Sequence, residues 1–114
     1  MKYLAVTILA LGLMACGGPK AAIDKGAIEA DIRRILAEQD AAWNSGDIEE
    51  FMQPYWNSAN LRFASGGTIE RGWQPTLERY LSRYPDRAAM GVLSFTELEI
   101  EVIDADDALS LIHI

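Results

Sequence analysis

The dipeptide Gly46-Asp47 constrains the fold of this chain more than any other feature of its sequence. Upstream of it, Ile28, Ile32, Ile35, Leu36, Gln39, Ala42 and Trp43 recur at helical spacing. That spacing predicts an amphipathic helix over 24–45 with one buried stripe. Glycine ends such a helix naturally, because it enters the left-handed conformation of a C-terminal stop without steric cost. Asp47 can cap a second helix, whose apolar positions Ile48, Phe51, Met52 and Tyr55 share a face and whose first turn carries the favourable acids Glu49 and Glu50. A stop followed at once by a start makes a helical corner, and the second helix is expected to end near Trp56.

Beyond the corner the periodicity changes. Asn60 to Ala64 alternates, with Leu61 and Phe63 on one side and Arg62 on the other, before the turn-forming Ser65-Gly66-Gly67. This reads as a short strand and a tight turn. Trp73, Leu77, Tyr80, Leu81 and Tyr84 make a third helical stripe over 72–84, with Pro75 tolerated in the first turn and Pro85 closing the helix. Residues 89–103 read as a long strand whose parity shifts. Leu93 and Phe95 are apolar at odd positions, and Leu98, Ile100 and Val102 at even ones. A β-bulge near Thr96 reconciles the two halves. Glu97, Glu99 and Glu101 then form one acidic, solvated face, and residues 104–107 turn into a strand beginning near Ala108.

Composition narrows the chemistry. Hydrophobic residues make up 50% of the chain, enough for a packed core and against intrinsic disorder. Ten Lys+Arg against 17 Asp+Glu give a net charge of −7, which opposes binding to a phosphate backbone, so no nucleic acid partner is expected. One cysteine rules out an internal disulfide framework. The one histidine, His113, lies in a suspect tail, which removes the usual ingredient of a His-based acid, base or zinc site. Gly66-Gly67 has neither the spacing nor the lysine of a phosphate loop. Asp104, Asp106 and Asp107 lack the loop glycine and distal glutamate of a calcium loop. No metal and no cofactor is expected.

Both ends carry separate signals. Met1-Lys2 and the apolar run from Tyr3 to Leu13 have signal-peptide form, the run being shorter than the ~20 residues that span a bilayer. Leu13-Met14-Ala15-Cys16-Gly17-Gly18 resembles the bacterial lipobox, in which cleavage before the cysteine precedes its acylation. The expected division is a signal peptide over 1–15, an acylated Cys16 with its tether over 16–23, and a folded domain over 24–108. Glycine after the cysteine, by resemblance to Gram-negative lipoproteins, implies the outer membrane. Residues 109–114, Leu-Ser-Leu-Ile-His-Ile, resemble the in-frame translation of a transposon-end sequencing adapter, so the domain is expected to be incomplete and its last strands missing.

The order of elements, the junction from Trp43 to Phe51, Tyr55, Leu61-Arg62-Phe63 and Gly66-Gly67 together resemble the SnoaL-like proteins. These belong to the nuclear transport factor 2-like and ketosteroid isomerase-like superfamily, and the resemblance covers about Ile28 to Ala108. It implies an α+β cone in which a strongly curved mixed sheet wraps three helices around a pocket, with frequent dimerisation through the sheet. Matching the isomerase branch residue by residue puts Phe63 at the position of the general-base aspartate and Gln39 at that of the oxyanion-donating tyrosine. Proton abstraction of that kind therefore loses its base and its electrostatic stabilisation together. Dehydratase-like relatives use an Asp and His pair, and no native histidine is expected here.

The remaining candidates are aromatic or charged residues near that pocket. Trp43, Tyr55, Phe63, Trp73 and Tyr80 are expected to line it, with Trp56 a further aromatic and Arg62 an anion-binding group. The competing reading puts part of the aromatic set in plain core and Arg62 in solvent. Asp40 beside the core stripe is either a pocket acid or a helix-surface carboxylate. Two functional classes follow. One is a membrane-anchored envelope protein that binds a small apolar molecule; the other is an enzyme with its acid, base or donor in the missing strands or in Asp40, Arg62 and a tyrosine. A homodimeric interaction module is a third.

Overall fold

The computed structural model describes residues 21–114, so the expected signal peptide and Cys16 lie outside the described residues. Helix α1 runs Lys25–Ser45, its N-cap Asp24 accepting from the Ala27 amide. It stops where glycine permits it to. Gly46 sits at φ 89° and its amide donates to the Ala42 and Trp43 carbonyls. An added Cβ there would stand 3.2 Å from Arg87 Cδ, so both the dihedral and the space favour glycine.

Asp47 caps α2, Ile48–Met52, by accepting from the Glu50 amide. This helix ends four residues before the expected Trp56. Pro54 has no N–H to continue the ladder, and the chain tightens through Gln53 N to Glu50 O and Tyr55 N to Met52 O. Trp56 is left 62% exposed.

Strands β1, Arg62–Ser65, and β2, Thr68–Arg71, form an antiparallel hairpin. Gly66 and Gly67 both have positive φ, 58° and 79°, as a two-residue hairpin turn of the primed type demands. The sequence reading contained the turn and β1 but not β2, whose burial barely alternates.

Helix α3 spans Trp73–Arg83. Its stripe buries Leu77 and half-buries Trp73, Tyr80 and Tyr84, but Leu81 points away at 43% exposure. The inward place belongs to Thr76, fully buried, whose hydroxyl donates to the Gly72 carbonyl at 2.8 Å and so enters the core without an unpaired polar atom.

Residues 89–103 depart most from expectation. A short helix, α4, Arg87–Met90, is capped by Asp86 and followed by an irregular segment, so the strand β3 covers only Thr96–Val102. It pairs antiparallel with β4, Ala108–His113. The expected bulge is present. The register shifts between Thr96 and Glu99, and Glu97 takes φ 52°. Glu97, Glu99 and Glu101 form the exposed face, and Asp104 Oδ1 accepts from the Asp106 and Asp107 amides to close the turn.

The architecture is α+β, as expected. Among the described residues its strands make two separate antiparallel hairpins, and a fourth, short helix joins the expected three. The core gathers Ala42, Trp43, Ile48, Phe51, Met52, Leu77 and Met90 at the junction of α1, α2, α3 and α4. The stripe on α1 is buried only in its C-terminal half, because α2 and α3 pack there; Ile28, Ile32, Ile35 and Leu36 stay half-buried. Burying a side chain of this size contributes roughly 1.5–3 kcal/mol, so the corner carries most of the domain's cohesion.

Candidate functional site: an aromatic cleft

A cleft of about 410 Å³ opens between the helices and the two hairpins, within the size range of small-molecule pockets. From α1, Leu36, Gln39 and Trp43 form its floor, and Phe51 and Tyr55 continue it from α2 and the following turn. One side is Phe63 to Ser65 on β1 with Tyr80 and Tyr84 on α3. The other is Leu93 and Phe95 from the irregular segment with Ile112 and Ile114 at the end of the chain.

The aromatic rings brace one another edge to face. Trp43 lies 5.1 Å from Phe51 and 4.9 Å from Tyr84 between ring centroids, at steep interplanar angles. Tyr80 is the hub, 5.5 Å from both Phe51 and Phe63 and nearly parallel to Tyr84 at 6.2 Å. Such offset and edge contacts add about 0.5–1.5 kcal/mol per pair beyond burial.

Two links position the floor. The Trp43 indole donates to the Met90 carbonyl at 3.0 Å, tying α1 to α4. Asn44 donates to the Leu93 carbonyl and accepts from the Leu93 amide, each at 2.8 Å, and also donates to Asp40 Oδ1. Asp40 is thus a half-buried helix-side anchor for Asn44, outside the cleft lining.

Of the six expected ligand residues, Trp43, Tyr55, Phe63 and Tyr80 reach the cleft. Trp73 does not. Its indole donates to the Met52 carbonyl at 2.9 Å and its ring packs on the core, fastening α3 to α2. Arg62 is exposed outside the cleft, its guanidinium donating to the Asn60 and Leu61 carbonyls. Of the two isomerase positions, Phe63 leans on Tyr80, and Gln39 is buried with its amide nitrogen donating to the Phe51 carbonyl at 3.1 Å. Tyr84, Phe51, Leu36, Leu93 and Phe95 also belong to the lining and were not assigned to it from sequence. Tyr84 carried a signal, standing one helical turn after Tyr80 on the same face.

The polar groups facing the cleft are phenols, the Gln39 amide and the Ser65 hydroxyl; among the described residues no carboxylate, imidazole or thiol side chain lines it. Burial pushes the Tyr55 phenol up, opposed in part by a hydrogen bond from Tyr80. Tyr80 is raised well above the ordinary range, first by burial and then by the neighbouring Tyr55. Both phenols stay protonated around neutral pH, so they offer hydrogen bonds and not proton abstraction. Among the described residues no group of acids, histidines and cysteines is arranged to hold a metal ion. No described helix is long and apolar enough to cross a membrane.

No family model and no curated protein matches this chain. A solved structure does: an NTF-2-like protein of unknown function from Shewanella oneidensis MR-1, 31% identical, superposes with a TM-score of 0.65 over 75% of this chain and 82% of that one. The chain therefore shares both sequence and architecture with that protein over most of its length, and it belongs to the NTF-2-like family.

Proposed function

We propose that this chain is a lipid-anchored cell-envelope protein whose NTF-2-like domain binds a small, largely apolar molecule without transforming it. The observation that carries the reading is the cleft itself: about 410 Å³, walled by mutually braced aromatic and aliphatic side chains and faced by protonated phenols and an amide. A wall of this kind desolvates an apolar body and supplies a few hydrogen bonds to orient it. The neutral fluorophore N-phenyl-1-naphthylamine, titrated into the protein, is expected to brighten saturably. Leu36→Trp, which fills the floor, should weaken that binding at least tenfold; equal binding by both proteins would refute the cleft reading.

Anchoring rests on Cys16 and the apolar run before it. A multiply acylated cysteine holds a protein on a membrane where one chain binds only reversibly, at about 0.8 kcal/mol per buried methylene. The domain would then face the periplasm from the outer membrane. Metabolic labelling with a radioactive fatty acid should mark the wild type and leave Cys16→Ser unlabelled, and equal labelling would remove the anchor from the proposal.

A further inference from the structure

Two arginines stand at the cleft's mouth. Arg79 and Arg83 lie one turn apart on α3, and both line a recess of about 80 Å³ that shares Phe63, Ser65, Tyr80 and Tyr84 with the aromatic cleft. Arg79 is held in place from two sides. Its Nη1 donates to the Thr68 hydroxyl at 3.0 Å, and its guanidinium carbon stands 5.9 Å from the Phe63 ring centroid. The ion pairs among the described residues, Glu29–Arg33, Asp31–Arg34 and Arg34–Glu38, all lie on α1. Neither arginine at the mouth has a carboxylate within ion-pair distance there, although acids outnumber bases 17 to 10 in the chain. Glu70 is the acid that faces them, across a shallow depression on the outer side shared with Ser82. Like charges one turn apart on a helix repel, so the pair costs stability unless an anion answers it.

We infer that the ligand is a small amphipathic organic anion, its apolar body in the aromatic cleft and its carboxylate or sulfonate between Arg79 and Arg83. This inference rests on the cleft binding an apolar body and adds the recognition of its head. A guanidinium fork matches a planar carboxylate through two parallel N–H donors, and the phenol of Tyr84, which lines the same recess, can donate to the same oxygens. The net charge of −7 opposes the approach of anions from a distance, so selection is local and falls as salt screens the two arginines.

A matched pair of probes separates the two claims: 8-anilinonaphthalene-1-sulfonate and N-phenyl-1-naphthylamine, which differ by the sulfonate alone. Both are titrated into the wild type, Arg79→Gln, Arg83→Gln, the double variant and Leu36→Trp. The double variant should bind the sulfonated probe about tenfold more weakly, as expected for loss of charge-assisted hydrogen bonds at a partly solvated site, and bind the neutral probe as the wild type does. Unchanged sulfonate affinity in the double variant overturns the anion site while leaving the cleft standing. Loss of neither probe in Leu36→Trp overturns the cleft, and the anion site with it. Should Arg79→Gln loosen the hairpin through Thr68, a shift in the denaturation midpoint reveals it. Arg83→Gln, at an exposed position, then decides alone by a severalfold loss or its absence.

Discussion

Trp43→Ala should abolish the cooperative unfolding of this domain. The side chain is 7% exposed, touches Phe51, Tyr80 and Tyr84 edge to face, and ties α1 to α4 through the Met90 carbonyl. Truncating a buried tryptophan costs about 3–5 kcal/mol, a large part of the ~5–15 kcal/mol that holds a small domain together. Urea unfolding followed by far-UV circular dichroism is expected to lose its pre-transition baseline. Trp43→Phe separates the two contributions. It keeps most of the ring contact and leaves the Met90 carbonyl unpaired, for a loss of about 1–3 kcal/mol. A variant Trp43→Ala with the wild-type midpoint would show that the corner of α1, α2 and α4 is not where the domain's stability resides.

Asn44→Ala should be the second most damaging substitution and should also reach the cleft. It strips partners from both the amide and the carbonyl of Leu93, a residue 49 positions away that lines the cleft wall. Two part-buried backbone groups left unpaired cost about 2–4 kcal/mol together. Freed from Asn44, the 91–95 segment no longer holds Leu93 and Phe95 against the cleft, so the affinity for the neutral naphthylamine should fall severalfold along with the denaturation midpoint. A drop in stability with unchanged probe affinity would show that this segment does not shape the cleft.

These two residues also mark what the sequence could and could not disclose. The corner at Gly46-Asp47 was legible because its causes are local: a left-handed stop and a side-chain cap act within a few residues. The bulge near Thr96 was legible for the same reason, since a parity switch in the apolar pattern has few other remedies. Residues 91–95 were not. Their alternation suits a strand, but the backbone groups of Leu93 are claimed by Asn44 across 49 residues, a pairing that leaves no local trace. Helix α4 did carry one, the capping Asp86 ahead of Arg-Ala-Ala-Met, outweighed by the alternation that follows.

Membership of the cleft was the hardest to read. Trp73 and Tyr80 sit on one helical stripe, yet the Trp73 indole turns to the Met52 carbonyl while Tyr80 faces the cavity. Periodicity tells which face is inward and not whether inward means core or cavity. Arg62 follows the solvent reading: strand alternation turns it outward with Ala64, while Phe63 and Ser65 are half-buried. The arginines that do reach the mouth come from α3, where the sequence shows only a polar helix flank.

The two hairpins belong to separate sheets, and the cleft runs between them, with Phe63 of the first and Ile112 of the second on opposite walls. Among the described residues no backbone ladder joins the two hairpins, so side-chain contacts, each a fraction of a kcal/mol, are what meet across that gap. An aperture bounded this way would act as a jaw, with the helical corner as its hinge and side-chain rotamers as its teeth. On the proposed binding, guests of different girth meet the same residues, and an occupant that touches both walls becomes a cross-brace between hairpins that no ladder joins among the described residues.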